Sequence, residues 1–297
     1  MKKENDILEA ALSAAEHGYA GAYRFLLDAY EQAPEQYGPQ TLYFLACLAG
    51  GSGRPTEALG WLRKAIAENA WWYRPEVLED DDLALLQGNA EFIALKAASD
   101  ARYAKAVSTS NAVFSWQGKT AEDLFLAIHG NTQNGQTARE DWAPLLQAGG
   151  TWQLETIQSA EPDGYGTYRW SYDDVSYLPV ASALETVQDK GYRKIVCGGF
   201  SAGCDMLLRA ITFAAVRCDQ LVLQSPWIPV LEDHADAMLC ALRQKGVALR
   251  IFCGSEDADC LPMARQLYTL ALRENLGVEF TVQANSRHQF PAEQYTV

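Results

Sequence analysis

Ser201 sits between two glycines in Gly199-Phe200-Ser201-Ala202-Gly203, directly after the apolar run Ile195-Val196-Cys197 and before the helix-forming stretch 204–214. A serine hydroxyl is a weak nucleophile until a base takes its proton and a carboxylate fixes the tautomer of that base. The G-x-S-x-G pattern has a steric reason. A serine on a strained turn between strand and helix pushes its hydroxyl outward, and any side chain two residues before or after would strike neighbouring backbone. The spacing therefore asks for a base and an acid further along the chain.

Of four histidines, only His234 and His288 follow Ser201; His17 and His129 precede it. Residues 249–257, Leu-Arg-Ile-Phe-Cys-Gly-Ser-Glu-Asp, read as a strand that ends in a G-x-x-D loop, which delivers Asp257 to the strand end. Glu256 and Asp259 are rival carboxylates beside it. Asn285-Ser286-Arg287-His288-Gln289-Phe290-Pro291 then places His288 on the next loop, giving the order Ser201, Asp257, His288. His234 as base would break that order and reads instead as a surface residue entering a helix.

These residues need a frame. Strand-like runs fall at 111–116, 124–129, 151–158, 194–198, 220–224, 249–253 and 278–283, with helical stretches at 142–147, 175–190, 205–214, 235–245 and 262–276 between them. Alternation of this kind predicts parallel strands joined by crossover helices on both faces, and sites in such sheets gather at the C-terminal strand ends. The predicted class is α/β, a mostly parallel doubly wound sheet over residues 109–297, preceded by an all-helical domain over residues 1–108.

With the order Ser201, Asp257, His288 inside that frame, residues 109–297 resemble the α/β-hydrolase family, whose triad runs Ser, Asp or Glu, His along the chain. The resemblance implies Ser201 as nucleophile, His288 as base and then acid, and Asp257 as the group that orients it. It implies oxyanion donors at the N–H groups of Ala202 and Asn131, because Leu124–Ile128 followed by His129-Gly130-Asn131 is similar to the family's oxyanion loop; His129 then orders that loop. Gln158-Ser159, Trp170 and His288-Gln289-Phe290-Pro291 are similar to the compact carboxylesterase and lysophospholipase-like branch, with Thr132 and Trp170 on the substrate side. Members of that branch often carry glutamine where this chain has Ala202, a change that keeps the backbone donor. The implied activity is cleavage of a small carboxylic ester or thioester with no cofactor and no metal. A serine peptidase or amidase would use the same triad, and a non-catalytic helical-repeat adaptor is the reading from a different class.

Over residues 1–108, alanine spacings of 12 and 7 residues occur twice, at Ala10, Ala22, Ala29 and at Ala46, Ala58, Ala65, with Gly18 and Gly53 between the helices of each pair. The pattern resembles tetratricopeptide-like hairpins and predicts either a lid or a surface for a protein or peptide partner. A further helix is expected over 89–104, and the acidic run Glu79–Asp82 reads as a helix start rather than a metal site.

The net charge is −14, from 24 basic and 38 acidic residues, so nucleic acid and anionic membrane surfaces are repelled. No uncharged run approaches the roughly 20 residues of a membrane span, and the N-terminus lacks the apolar core of a signal peptide; a cytoplasmic location is expected. Seven cysteines, scattered through apolar segments without a C-x-x-C pair, read as reduced core residues.

Overall fold

The computed structural model describes residues 4–146 and 152–290. The chain divides into two compact units, Met1–Ser110 with Pro162–Tyr165, and Asn111–Glu161 with Gly166–Val297. The sequence reading placed a single cut between residues 108 and 109. The difference is the return of 162–165 to the helical unit, where Arg74 N–H donates to Asp163 O at 3.1 Å and Tyr165 N–H to Trp72 O at 2.9 Å.

The helical unit contains α1 (Glu4–Ala15), α2 (Tyr19–Gln32), α3 (Pro39–Gly51), α4 (Pro55–Arg63) and α5 (Ala90–Thr109). Pro39 and Pro55 open α3 and α4 at a position where the missing N–H costs no helical bond. Asn89 caps α5 by accepting from the N–H groups of Glu91 and Phe92 at 2.9 and 3.2 Å. Gly18 and Gly53 fall between the helices they were expected to separate. Ala22, Ala46, Ala58 and Ala65 are fully buried, whereas Ala10 and Ala29 are half-buried. Tyr23, Leu26 and Tyr30 carry the inward face of α2 instead. The acidic run opens a short 3-10 segment, Asp81–Leu86, with Asp80 accepting from Asp82 N–H at 2.8 Å.

The second unit runs β1 (Val113–Phe114), β2 (Asp123–Ile128), α6 (Gly135–Leu146), β3 (Trp152–Gln158), β4 (Glu161–Gly164), β5 (Thr167–Arg169), α7 (Leu178–Val187), β6 (Lys194–Phe200), α8 (Ala202–Phe213), β7 (Gln220–Gln224), α9 (Val230–Lys245), β8 (Ala248–Gly254), α10 (Cys260–Arg273) and β9 (Val278–Gln283). Residues 162–164 of β4 belong to the first unit. The main sheet has the order β1-β3-β2-β6-β7-β8-β9, parallel throughout except for β1 against β3. All six residues of β2 are buried, as expected of a strand covered on both faces. Leu124, Leu126 and Ile128 enter the core shared with α7 and α8, while Phe125 and Ala127 face the core shared with Ala138 and Trp142 of α6.

Four helices begin earlier than the sequence reading placed them, α10 by two residues at Cys260. In α6 the first turns are polar, and apolar burial starts at Ala138 before Trp142. In α8, helical geometry begins at Ala202, directly after the elbow. In α9 the helix begins at Val230, and a non-helical His234 (φ −134°, ψ 23°) divides it close to the expected start at 235. β4 and β5 were not expected. Thr151, Gln147 and Pro291, which the sequence reading assigned to a strand, a helix and the terminal loop, lie outside the described residues.

Candidate active site

Five parallel strands end at one edge of the sheet, and each sends one loop to the same place. Register aligns Ile128 of β2 with Gly199 of β6, Phe200 with Gln224 of β7, Gln224 with Phe252 of β8 and Gly254 with Gln283 of β9. The turns continue the ladder: Ser201 N–H donates to Gln224 O at 3.0 Å, Ser225 N–H to Phe252 O at 2.7 Å and Ser255 N–H to Gln283 O at 2.8 Å. Residues far apart in sequence thus meet.

Ser201 holds φ 52° and ψ −122°, a conformation that costs a non-glycine residue free energy and is found where function demands it. Its flanking glycines are required by close approach. A Cβ on Gly199 would lie 2.8 Å from Cys204 N, and one on Gly203 would lie 2.6 Å from His129 O and 2.8 Å from Ile128 O. The tight turn leaves the Ser201 hydroxyl 2.9 Å from His288 Nε2.

On the other side of the ring, His288 Nδ1 lies 2.9 Å from Asp257 Oδ2. With Nδ1–H donating to the carboxylate, Nε2 is left as the acceptor for the serine proton. Asp257 is buried, which acts to raise its pKa; the hydrogen bond and charge of His288, the Cys260 N–H and the Ser225 hydroxyl outweigh burial and hold the carboxyl below its ordinary value. The Cys260 N–H donates to Asp257 Oδ1 at 3.1 Å, so both carboxylate oxygens are engaged. Glu256 is exposed and pairs with Arg287 at 3.5 Å, and Asp259 is exposed at the head of α10. Neither rival faces the imidazole. His234 packs edge-on against Phe213, with ring centroids 5.0 Å apart, on the α9 kink.

The loop after β2 lies against the elbow: a Cβ on Gly130 would sit 3.1 Å from Ser201 Cβ. His129 is fully buried beneath it, its Nδ1 2.6 Å from Gly130 O and its Nε2 accepting from Ser159 N–H at 3.1 Å. Burial pushes its pKa down to about 4, so the ring is a neutral brace. Trp170 stacks on it at 5.0 Å and donates its indole N–H to His129 O at 2.9 Å. This corrects the expectation that Trp170 contacts substrate: the side chain is 1% exposed and braces the loop. The Asn131 side chain accepts from Trp170 N–H at 2.8 Å and donates to Tyr172 Oη at 3.3 Å, fixing the loop from which its own N–H projects. Thr132 is exposed with φ 59°, its hydroxyl turned back onto Asn131 O at 2.7 Å. Ala202 is buried at the first position of α8, where an N–H has no carbonyl partner within its helix.

Three contributors escaped the sequence reading. Gln133 accepts from Gly130 N–H at 2.8 Å and so engages that donor. Ser225, at φ 44°, hydrogen-bonds Asp257. Cys260 brings its sulfur to 3.4 Å from His288 Nδ1. A glutamine three residues past the His-Gly pair and a serine just after β7 were visible signals; nothing in the sequence marked Cys260. Cys204, just past the elbow, is buried, donates to Gly199 O at 3.1 Å and has its pKa pushed well up by burial, which leaves it inert.

A parallel sheet of this order, with a strained serine between its β6 and α8, is the architecture seen in the α/β-hydrolase fold. Residues 3–107 match the family model described as A/B hydrolase-like, N-terminal domain. The chain has the α/β-hydrolase fold. Among solved structures, this hydrolase fold is similar to an uncharacterized protein from Bacillus cereus ATCC 10987, at 25% identity and a TM-score of 0.53 over 98% of this chain and 94% of that one. It is more distantly similar to the esterase PE8, at 11% identity and a TM-score of 0.49 over 62% of this chain and 92% of that one. No curated protein matches the chain significantly. Among the described residues, no helix is long and apolar enough to cross a membrane.

Proposed function

We propose that this chain is a serine hydrolase that cleaves a small carboxylic ester or thioester through an acyl-enzyme on Ser201. The observation that carries the reading is the unbroken hydroxyl–imidazole–carboxylate array, with both of its hydrogen bonds at 2.9 Å. As the Ser201 oxygen attacks the carbonyl carbon, its proton passes to His288 Nε2, and Asp257 stabilises the imidazolium that results. The tetrahedral oxyanion meets the N–H of Ala202 at the head of α8 and the N–H of Asn131. Collapse breaks the bond to the alcohol or thiol, which leaves with the proton from Nε2. Water then repeats the sequence on the acyl-enzyme, with His288 again first base and then acid.

Each group has its position held by a neighbour that does no chemistry. Gln133, His129 and Trp170 hold the oxyanion loop, and Ser225 and the Cys260 N–H hold the carboxylate. Steady-state kinetics on a panel of short aryl esters and thioesters test the reading. Ser201→Ala should lower kcat by about 10⁴- to 10⁶-fold with an unchanged Tm, and a variant that retains turnover within tenfold of the parent would refute it.

A further inference from the structure

The acid–base pair has a third potential ligand beside it. Among the described residues, one oxygen of Asp257, the sulfur of Cys260 and one nitrogen of His288 all lie within 4.8 Å of one another. The sulfur is 3.4 Å and the carboxylate oxygen 2.9 Å from the same Nδ1. A tetrahedral zinc ion about 2.3 Å from sulfur and about 2.0 Å from nitrogen needs those two atoms about 3.5 Å apart, and a nitrogen–oxygen edge of about 3.3 Å. The sulfur edge is already present; the oxygen edge has to open by a few tenths of an ångström. Thiolate, imidazole and carboxylate together form a donor set suited to zinc rather than to magnesium or calcium. All three meet at one corner of the sheet, Asp257 in the loop before α10, Cys260 at its first residue and His288 on the loop that follows β9.

We propose that Asp257, Cys260 and the Nδ1 of His288 form an inhibitory binding site for Zn²⁺. The proposal rests on the reading of His288 as the catalytic base. Binding displaces the Cys260 thiol proton to solvent and moves the ring proton from Nδ1 to Nε2. One proton is released, and no oxidation or reduction takes place. With Nε2 protonated, the ring no longer accepts the proton of Ser201, and Asp257 is bound to the ion instead of to Nδ1–H. The metal therefore blocks the array without covering the serine. The side chain of His288 is 32% exposed, which gives the ion a way in although Asp257 and Cys260 are buried.

A second group of donors, Cys47, Asp80 and Asp82 in the helical unit, is the internal rival. It lacks an imidazole, and Asp80 is already engaged by Tyr43 Oη at 3.0 Å and by Asp82 N–H.

The test uses the full chain and two readouts. Co²⁺ added to Ser201→Ala protein reports thiolate ligation by near-ultraviolet charge-transfer absorption, independently of any activity. The expected result is one equivalent of this absorption, displaced by Zn²⁺, retained in Cys47→Ser and lost in Cys260→Ser. In the second readout, Zn²⁺ inhibits ester hydrolysis by the parent. In Cys260→Ser and Cys260→Ala, each compared with its own metal-free rate, the inhibitory concentration rises at least about tenfold. Absence of the cobalt signal, its loss in Cys47→Ser instead, or equal zinc sensitivity with and without Cys260 would overturn the proposal. A cobalt signal that depends on Cys260 in a protein without esterase activity would instead sustain the metal site and reject the catalytic reading.

Discussion

Asp257 and His288 are joined by a 2.9 Å hydrogen bond in which the ring nitrogen that faces away from Ser201 donates to a buried carboxylate. In the proposed mechanism that contact singles out Asp257 among three neighbouring acids. Asp257→Asn should lower kcat by about 10⁴-fold, because an amide no longer holds the productive tautomer. Glu256→Gln and Asp259→Asn should leave kcat within about threefold, since both side chains are exposed and neither faces the ring. Ester kinetics on the three variants check this.

The buried His129 predicts a pH dependence of stability. Its folded pKa, about 4, lies below the ordinary 6.5 because burial disfavours the charged ring. Between those values the unfolded chain binds a proton that the native state does not, so stability falls as the pH drops from about 6.5 to about 4. The loss amounts to something on the order of 3 kcal/mol. Thermal unfolding across that range should show the slope in the parent and a shallower one in His129→Gln, whatever the substitution costs at neutral pH.

Gly203 and Gly60 make opposite predictions for the same substitution. A Cβ at Gly203 meets two backbone carbonyl oxygens within 2.8 Å, and neither can yield without moving β2. Gly203→Ala should lower the Tm by several degrees and disturb turnover. Gly60, inside α4, has nothing within 4 Å of the added atom. There, Gly60→Ala should stabilise the protein by about 0.5–1 kcal/mol, as denaturant titration would register.

Asp205 and Arg209 form an ion pair at 2.6 Å inside α8, with the carboxylate fully buried and also accepting from Val230 N–H at 2.8 Å. Removing one partner leaves the other charged and unpaired. Asp205→Ala should cost about 3–5 kcal/mol, and the double variant Asp205→Ala/Arg209→Met should recover part of that loss. Chemical denaturation of the two variants measures it.

Much of the sheet was legible because strands buried on both faces read as unbroken apolar runs. Leu221-Val222-Leu223 and Leu124–Ile128 have no other explanation in a chain this polar. The meeting of Ser201, Asp257 and His288 was legible for a related reason: Ser201 and Asp257 follow such runs by only a few residues, His288 follows the alternating strand β9, and parallel strands bring their C-terminal ends together. β4 and β5 were not legible. Thr167–Arg169 is only partly buried along its length and carries no apolar alternation, and the return of 162–165 to the helical unit depends on tertiary contacts of Arg74 and Trp72 that no local pattern encodes. Trp170 was misassigned because aromatic character alone does not separate a residue that lines a pocket from one that braces a loop. Cys260 was hidden for the opposite reason: a cysteine in an apolar helix start reads as core, and only its 3.4 Å approach to His288 gives it chemical meaning.

The central claim is that Ser201 is a nucleophile activated by His288. Labelling the full chain with a fluorophosphonate probe tests it most directly. Peptide mapping should find one modified residue, Ser201, with labelling abolished in Ser201→Ala and slowed by at least about a hundredfold in His288→Ala, as loss of a general base requires. A parent protein that stays unlabelled, or one whose label falls on another serine and survives Ser201→Ala, would contradict the account.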